Sequence, residues 1–477
     1  MVLLVVASAP AAAQEITNGS FEQSDSEGNP ESWSIQAQEL SIDLDDHATL
    51  DGGQSLRITG NGSRGSAFVK QKLNLGVSGF SGATLRGRIR TRNVSPSATL
   101  VAILEGSDGR IFMDDMRDRV VAGDTEWQEY SVYIPASEEA TSLTVGALVI
   151  GGGTAWFDDL ELIQETEPDE SDVDARSYVL EALSVMHDHY LHSDDADWDR
   201  IRQRGLQAIS ENGSPQQAHA AVSMMIEQLD DPHADFVRPR DSSGTEEPTS
   251  RTVEPVAVTM ASERIASIRV PAVPGSASED AGITYAEHTH QQLMSIDSPD
   301  LCGWIVDLRE NTGGNMWPML AAIGPIAGPG VVGQFVGPGG SDVTEWIYRD
   351  GAALVSSESE TTERTAITTE PFQPGTADLP VAVLVSERTA SSGEATAIAF
   401  IGRANTRLFG SATGGLATAN NGYPLSDGAR VVFPIGYMAD RHGTIHHPRV
   451  QPDENVASED ALEPALSWLQ GQPDCAR

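Results

Sequence analysis

The chain has 477 residues, enough for two or three domains, with 30 basic against 70 acidic side chains and a net charge of −40. A surface of that sign repels nucleic acid and anionic lipid, so neither is expected as a partner. Hydrophobic residues make up 39%, which excludes a chain that is disordered throughout. Residues 1–14, "MVLLVVASAPAAAQ", combine a short apolar stretch with small residues, the pattern of a secretory signal peptide lacking its positively charged start. A periplasmic or secreted location is expected. No segment reaches about 18 uninterrupted apolar residues, so no membrane-spanning helix is expected. The cysteines are Cys302 and Cys475. Cys302 lies in "LCGWIV" and reads as a buried small hydrophobe rather than a ligand or nucleophile.

Residues 15–163 read as an all-β sandwich. Alternating stretches such as "SLRITG", "ATLRGRIRTR" and "EYSVYIP" are separated by Gly, Asn, Asp and Ser clusters. Together "NGSFE", "GGQSLRITG", "FVKQKLNL", "TEWQEYSVYIP" and "GTAWFDDLEL" resemble the jelly roll of many carbohydrate-binding modules. The resemblance implies a carbohydrate or cell-surface ligand, and a structural calcium held through the matching acidic positions, Glu22 and Asp158. Ordinary surface carboxylates explain those two positions equally well, and no platform of aromatic residues stands out for stacking on a sugar.

Residues 164–175, "QETEPDESDVDA", read as an acidic linker. A helical subdomain, 176–245, follows. "YVLEALSVMHDHYL" puts Val179, Leu183, Met186 and Tyr190 on one helix face. A second helix begins with Ser214 as N-cap, Pro215 at the first position and Gln217 closing a capping box. Its apolar face is Val222, Met225, Ile226 and Leu229, and Pro232 stops it before "HADF". From 253 to about 465, strands alternate with helices, giving a chain with an α/β core behind a β domain.

The stretch "ERTASSGEAT" places Ser391 and Ser392 between two apolar runs. Ser391-Ser392-Gly393-Glu394 is a capping box, enough to explain Ser391 as a helix N-cap. A helix N-terminus also offers free N–H groups to a developing oxyanion, so the same geometry suits a nucleophile. In "GWIVDLRENTGGNMWPML" a buried strand ends at a turn where Gly313 and Gly314 let backbone approach a substrate closely. One of their N–H groups with that of Ser392 would form an oxyanion hole.

In this order, "DLRENTGG", "ERTASSGEA" and "VQPDENV" resemble the serine peptidase family of the C-terminal processing proteases, the tricorn core protease and the interphotoreceptor retinoid-binding proteins. The resemblance covers roughly residues 175–460. It implies a ClpP/crotonase-like α/β core, Ser391 as nucleophile, a peptide or protein substrate and no cofactor for catalysis. Processing proteases activate the serine with a lysine about 25 residues downstream, where this chain has Leu416. Lysine occurs only at Lys70 and Lys72, so a Ser–Lys dyad is excluded, and arginine stays protonated. Tricorn-like members use a histidine, and "DPHADF" matches that position, making His233 the expected base.

Tricorn-like members also carry a glutamate before the closing signature, but this chain reads "GTIHHPRVQPD". Asp440 is the expected substitute for orienting the histidine, with Asp453 a weaker one and a simple dyad the remaining option. The alternative function is an inactive binding protein of the same fold, which the missing glutamate favours and Ser391 and His233 oppose. A metal-dependent hydrolase is prompted by His187, His189 and His192, but these lack the i, i+4 spacing of a helical ligand pair.

Overall fold

The computed structural model describes residues 15–50, 53–62, 65–75, 80–163, 174–210, 213–239, 253–275, 277–375 and 378–475. They fall into two units, one formed by residues up to 240 with 422–432, the other by 241–421 and 433 onward. The expected signal peptide, and the expected linker as far as residue 173, lie outside the described residues.

Among the described residues before 164, every strand pairing is antiparallel. Strands Ala83–Gly106 and Ala140–Ile163 have 24 residues each and pair along most of their length. Gly109–Asp114 and Val121–Ile134 pair with the first, and Ser55–Gly60 and Ser66–Asn74 with the second. Alternation in "ATLRGRIRTR" buries Leu85 and Ile89 and leaves Arg86, Arg88 and Arg90 to pair with Glu161, Glu129 and Glu126. Such exposed pairs contribute about 0–1 kcal/mol each, so the buried alternate residues carry the stability.

Helices Ala175–His189, Trp198–Gln207 and Pro215–Glu227 follow. The Ser214 hydroxyl accepts from Gln217 N, as the N-cap expectation requires. Gln217 does not close the capping box, because its side chain accepts from Ser210 instead. These helices, expected as a subdomain of the peptidase core, instead share the first unit with the β structure. Ion pairs run between them: Arg110 with Glu227, Arg200 with Asp108, and Arg204 with Glu139.

In the second unit, strands Ile265–Arg269, Gly303–Asp307, Val381–Val385 and Thr406–Gly410 run parallel. Both faces of this sheet are covered, which is why "GWIV" and "VAVLV" are continuous apolar runs rather than alternating ones. Trp304, Val306, Val381, Val383 and Val385 face a core completed by residues of helices Glu279–Ile296, Met316–Ala327 and Ser392–Ile398. Ile305, Ala382 and Leu384 face Ala465 and Leu469 of helix Leu462–Gln470. An antiparallel group, Gly330–Val336, Thr344–Arg349, Ala352–Ser356 and Thr361–Ala366, also belongs to this unit.

Cys302 is buried as expected, but it is also disulfide-bonded to Cys475 across a sequence separation of 173 residues. Closing so long a loop restricts the unfolded chain strongly. Replacing both cysteines with alanine is expected to cost about 2–5 kcal/mol of stability. Thermal unfolding with and without reductant checks this; equal midpoints for the native chain in both conditions would contradict it.

Candidate active site

Strands Gly303–Asp307 and Val381–Val385 are parallel neighbours, with Asp307 opposite Leu384. Their carboxyl ends therefore lie together, and so do the turns that follow them, in the position where open α/β sheets hold their ligands. Hydrogen bonds fasten one turn to the other. The Thr389 hydroxyl donates to the Leu308 carbonyl (2.8 Å), and Ala390 N donates to the Asn311 carbonyl (3.1 Å). Asn311 is wholly buried; its Nδ2 donates to the Val270 carbonyl and its Oδ1 accepts from Gly313 N.

Ser391 stands at the start of helix Ser392–Ile398 with φ 53° and ψ −118°. That conformation costs a non-glycine residue about 1–3 kcal/mol and persists only where its surroundings impose it. Glu394 imposes it. This carboxylate has no exposed surface and accepts from Ser391 N (2.8 Å), Leu416 N (2.8 Å), Gly415 N (3.1 Å) and the Thr413 hydroxyl. Burial pushes its pKa above the usual carboxylate range, and those four donors pull against the rise. The capping box read from the sequence is present, with Ser391 N bonded to Glu394.

The two serines are not equivalent. Ser392 is buried, and its hydroxyl donates to the Gly314 carbonyl at 2.6 Å. Ser391 is half-buried.

The glycine turn is constrained just as tightly. Gly313 and Gly314 both have φ 104°. A Cβ on Gly313 would stand 2.9 Å from the Ser391 Cβ, and one on Gly314 would stand 1.9 Å from the Val273 carbonyl oxygen. Of the expected oxyanion donors, Gly313 N is already committed to Asn311. The Gly314 and Ser392 N–H groups have no partner among the described residues.

His233 belongs to the first unit, in the loop before strand Asp235–Val237. Its backbone N donates to the Asp231 side chain (3.0 Å), which also accepts from the Tyr190 hydroxyl (3.0 Å). Burial lowers the His233 pKa to about 4, with Asp231 pulling the other way, so the imidazole is neutral at neutral pH. Asp440, expected to orient that histidine, is committed elsewhere. It accepts from His442 N, Thr444 N and His446 Nε2, the last at 3.1 Å. The signal for that arrangement is local: a hairpin turn, with Ala439 bridged to Ile445, brings His446 back beside it. Asp453 accepts from Leu408 N and anchors the closing signature to the sheet.

Asp158 is buried and accepts from Asp159 N, and Glu22 accepts from Gln54 N. Calcium takes six to eight oxygen ligands, and these two carboxylates alone do not supply that set. Among the described residues no three His, Cys, Asp or Glu side chains form a group that could hold a metal. His189 stacks on Tyr423, and His187 and His192 have aromatic neighbours in Trp198 and Tyr190.

The second unit is a serine-type peptidase core. Residues 264–456 match the model of peptidase family S41. The nisin-resistance protein of Lactococcus lactis subsp. lactis is 24% identical over 298 residues, spanning 62% of this chain and 87% of that protein. A lipoprotein structure from Streptococcus agalactiae covers 64% of this chain and 99% of its own, at 23% identity and a TM-score of 0.49. That of the photosystem II D1 C-terminal processing protease covers 61% and 94%, at 15% identity and a TM-score of 0.42.

Glu394→Gln keeps the shape of the side chain but turns an NH₂ group toward N–H donors. Leaving a buried donor unmet costs about 1–3 kcal/mol, and a loss of that size is expected in denaturant unfolding. Unchanged stability would mean that the carboxylate is not what ties residues 413–416 to the serine turn.

Proposed function

We propose that this protein is an exported endopeptidase in which Ser391 is the nucleophile and His233 its base. The observation that carries the reading is the strained Ser391 turn, held by Glu394 beside the Gly314 and Ser392 N–H groups, which have no partner among the described residues. A fold kept only for binding has no use for that strain. Ser391 Oγ attacks the carbonyl carbon of the scissile bond while His233 takes its proton. Negative charge collects on the carbonyl oxygen, where the Gly314 and Ser392 N–H groups receive it. The C–N bond then breaks, and the proton passes from His233 to the leaving amine. Water repeats the sequence on the acyl-enzyme, releasing the acid and restoring Ser391. A disulfide supports a location in an oxidising compartment outside the cytoplasm. Among the described residues no helix is long and apolar enough to cross a membrane.

Hydrolysis of casein and of nisin, a peptide suggested by the name of one relative, tests the reading. Ser391→Ala and His233→Ala are expected to lose activity by more than about a hundredfold. His446→Ala, which removes the histidine beside Asp440, is expected to keep it. Full activity in Ser391→Ala, or loss in His446→Ala with His233→Ala intact, would contradict the assignment.

The acid limb gives a further check. His233 works only when neutral, and its pKa is lowered to about 4, so activity is expected to hold from pH 7 to 5 and to fall as pH drops through about 4. A fall centred near 6.5, the ordinary histidine value, would contradict a buried base.

A further inference from the structure

Between strands Gly109–Asp114 and Val121–Ile134 the β structure carries the loop "DDMRDR", residues 114–119. Asp114 and Asp118 point inward, their side chains only 5% and 6% exposed. Two guanidinium groups bridge them. Arg119 reaches Asp114 (2.9 Å) and Asp118 (2.8 Å) from within the loop. Arg238 reaches the same two carboxylates (2.9 and 3.0 Å) from beyond the helices. Burial pushes the Asp114 carboxyl up, but the two arginines outweigh it and hold it below the usual range.

Arg238 directly follows strand Asp235–Val237, and His233 stands two residues before that strand. The strand is itself fixed. It pairs antiparallel with Arg430, Val431 and Val432, and Phe236 packs on His219 with ring centres 5.3 Å apart. On the far side of His233, Asp231 is tied to the Tyr190 hydroxyl. The His233 loop therefore hangs between two anchors, and the Arg238 anchor is supplied by the β structure.

We propose that Arg238, gripped by Asp114 and Asp118, is a positioning residue for His233, and that the β structure is accordingly a working part of the catalytic unit. The inference rests on His233 being the base of Ser391. A guanidinium fork spans two carboxylates at once, whereas an ammonium is a single point charge, so lysine reproduces the grip only in part. A misplacement of about 1 Å in a catalytic group can cost about a hundredfold in rate.

The test follows the rate at which a fluorophosphonate probe labels the whole chain, across probe concentrations. The variants are Arg238→Met, Arg238→Lys, Asp118→Asn and Arg204→Met. Arg204 joins the helices to the same β structure through Glu139, but from helix Trp198–Gln207. Arg238→Met is expected to slow saturating labelling by at least about tenfold. Its half-saturating probe concentration and final labelled fraction stay as in the wild type, and Arg238→Lys falls between the two. Arg204→Met is expected to lower the thermal midpoint and leave the labelling rate alone. Wild-type labelling by Arg238→Met, or equal slowing by Arg204→Met, overturns the proposal. Should Arg238→Met fail to fold, Asp118→Asn takes the charge from one of its two partners and carries the same comparison. Ser391→Ala and His233→Ala, run alongside, separate the two ideas. If His233→Ala labels at the wild-type rate, the base assignment has failed, and the positioning role falls with it whatever the Arg238 variants do.

Discussion

Glu394 sits one turn into the helix that Ser391 begins, with no exposed surface, and its two oxygens accept from three backbone N–H groups and a hydroxyl. A carboxylate in that position would be costly if left unmet, and the four donors offset its burial. They also connect two segments, which a backbone bond from Gly414 N to the Thr389 carbonyl (2.8 Å) joins as well. One is the serine turn, held at a positive φ. The other is residues 413–416, where processing proteases have a lysine and this chain has Leu416. With Leu416 in place of a lysine, the stretch holds the turn in place, and the proposed reading assigns the proton chemistry to His233.

The serine turn was legible in the sequence because its signals are local. S-x-x-E spacing, a preceding run of β-branched residues and a following run of small ones locate a strand, a turn and a helix N-terminus. The glycine turn was legible for the same reason, although only packing shows that Gly313 N is spent on Asn311. Asp440 is the contrary case. Its acidity and its place near the closing signature suggested a partner for His233, but the hairpin turn returns His446 to it. Cys302 reads as a hydrophobe because it is one; its partner lies 173 residues away, and no local pattern records that.

The grouping of the helices with the β structure was not legible for a similar reason. The helices between 175 and 227 carry a clear apolar face, and the family resemblance assigns them to the peptidase core. Ion pairs link them, and Arg238 beyond them, to the β structure: Arg110, Arg200, Arg204 and Arg238 against Glu227, Asp108, Glu139, Asp114 and Asp118. In a chain with 70 acidic residues, individual pairings of this kind cannot be picked out by spacing. Their geometry is also why arginine suits this chain, since the fork of Arg238 spans two carboxylates where lysine would meet one.

The central claim is that Ser391, and not its neighbour, is the reactive serine, because Ser392 donates its hydroxyl to Gly314 while the strained turn presents Ser391. Tryptic mapping of the fluorophosphonate adduct tests this most directly, since Arg388 and Arg403 release both serines in one peptide, residues 389–403. Fragmentation of that peptide is predicted to place the adduct on Ser391 alone. An adduct on Ser392, or a folded protein that takes up no probe at all, would contradict the account.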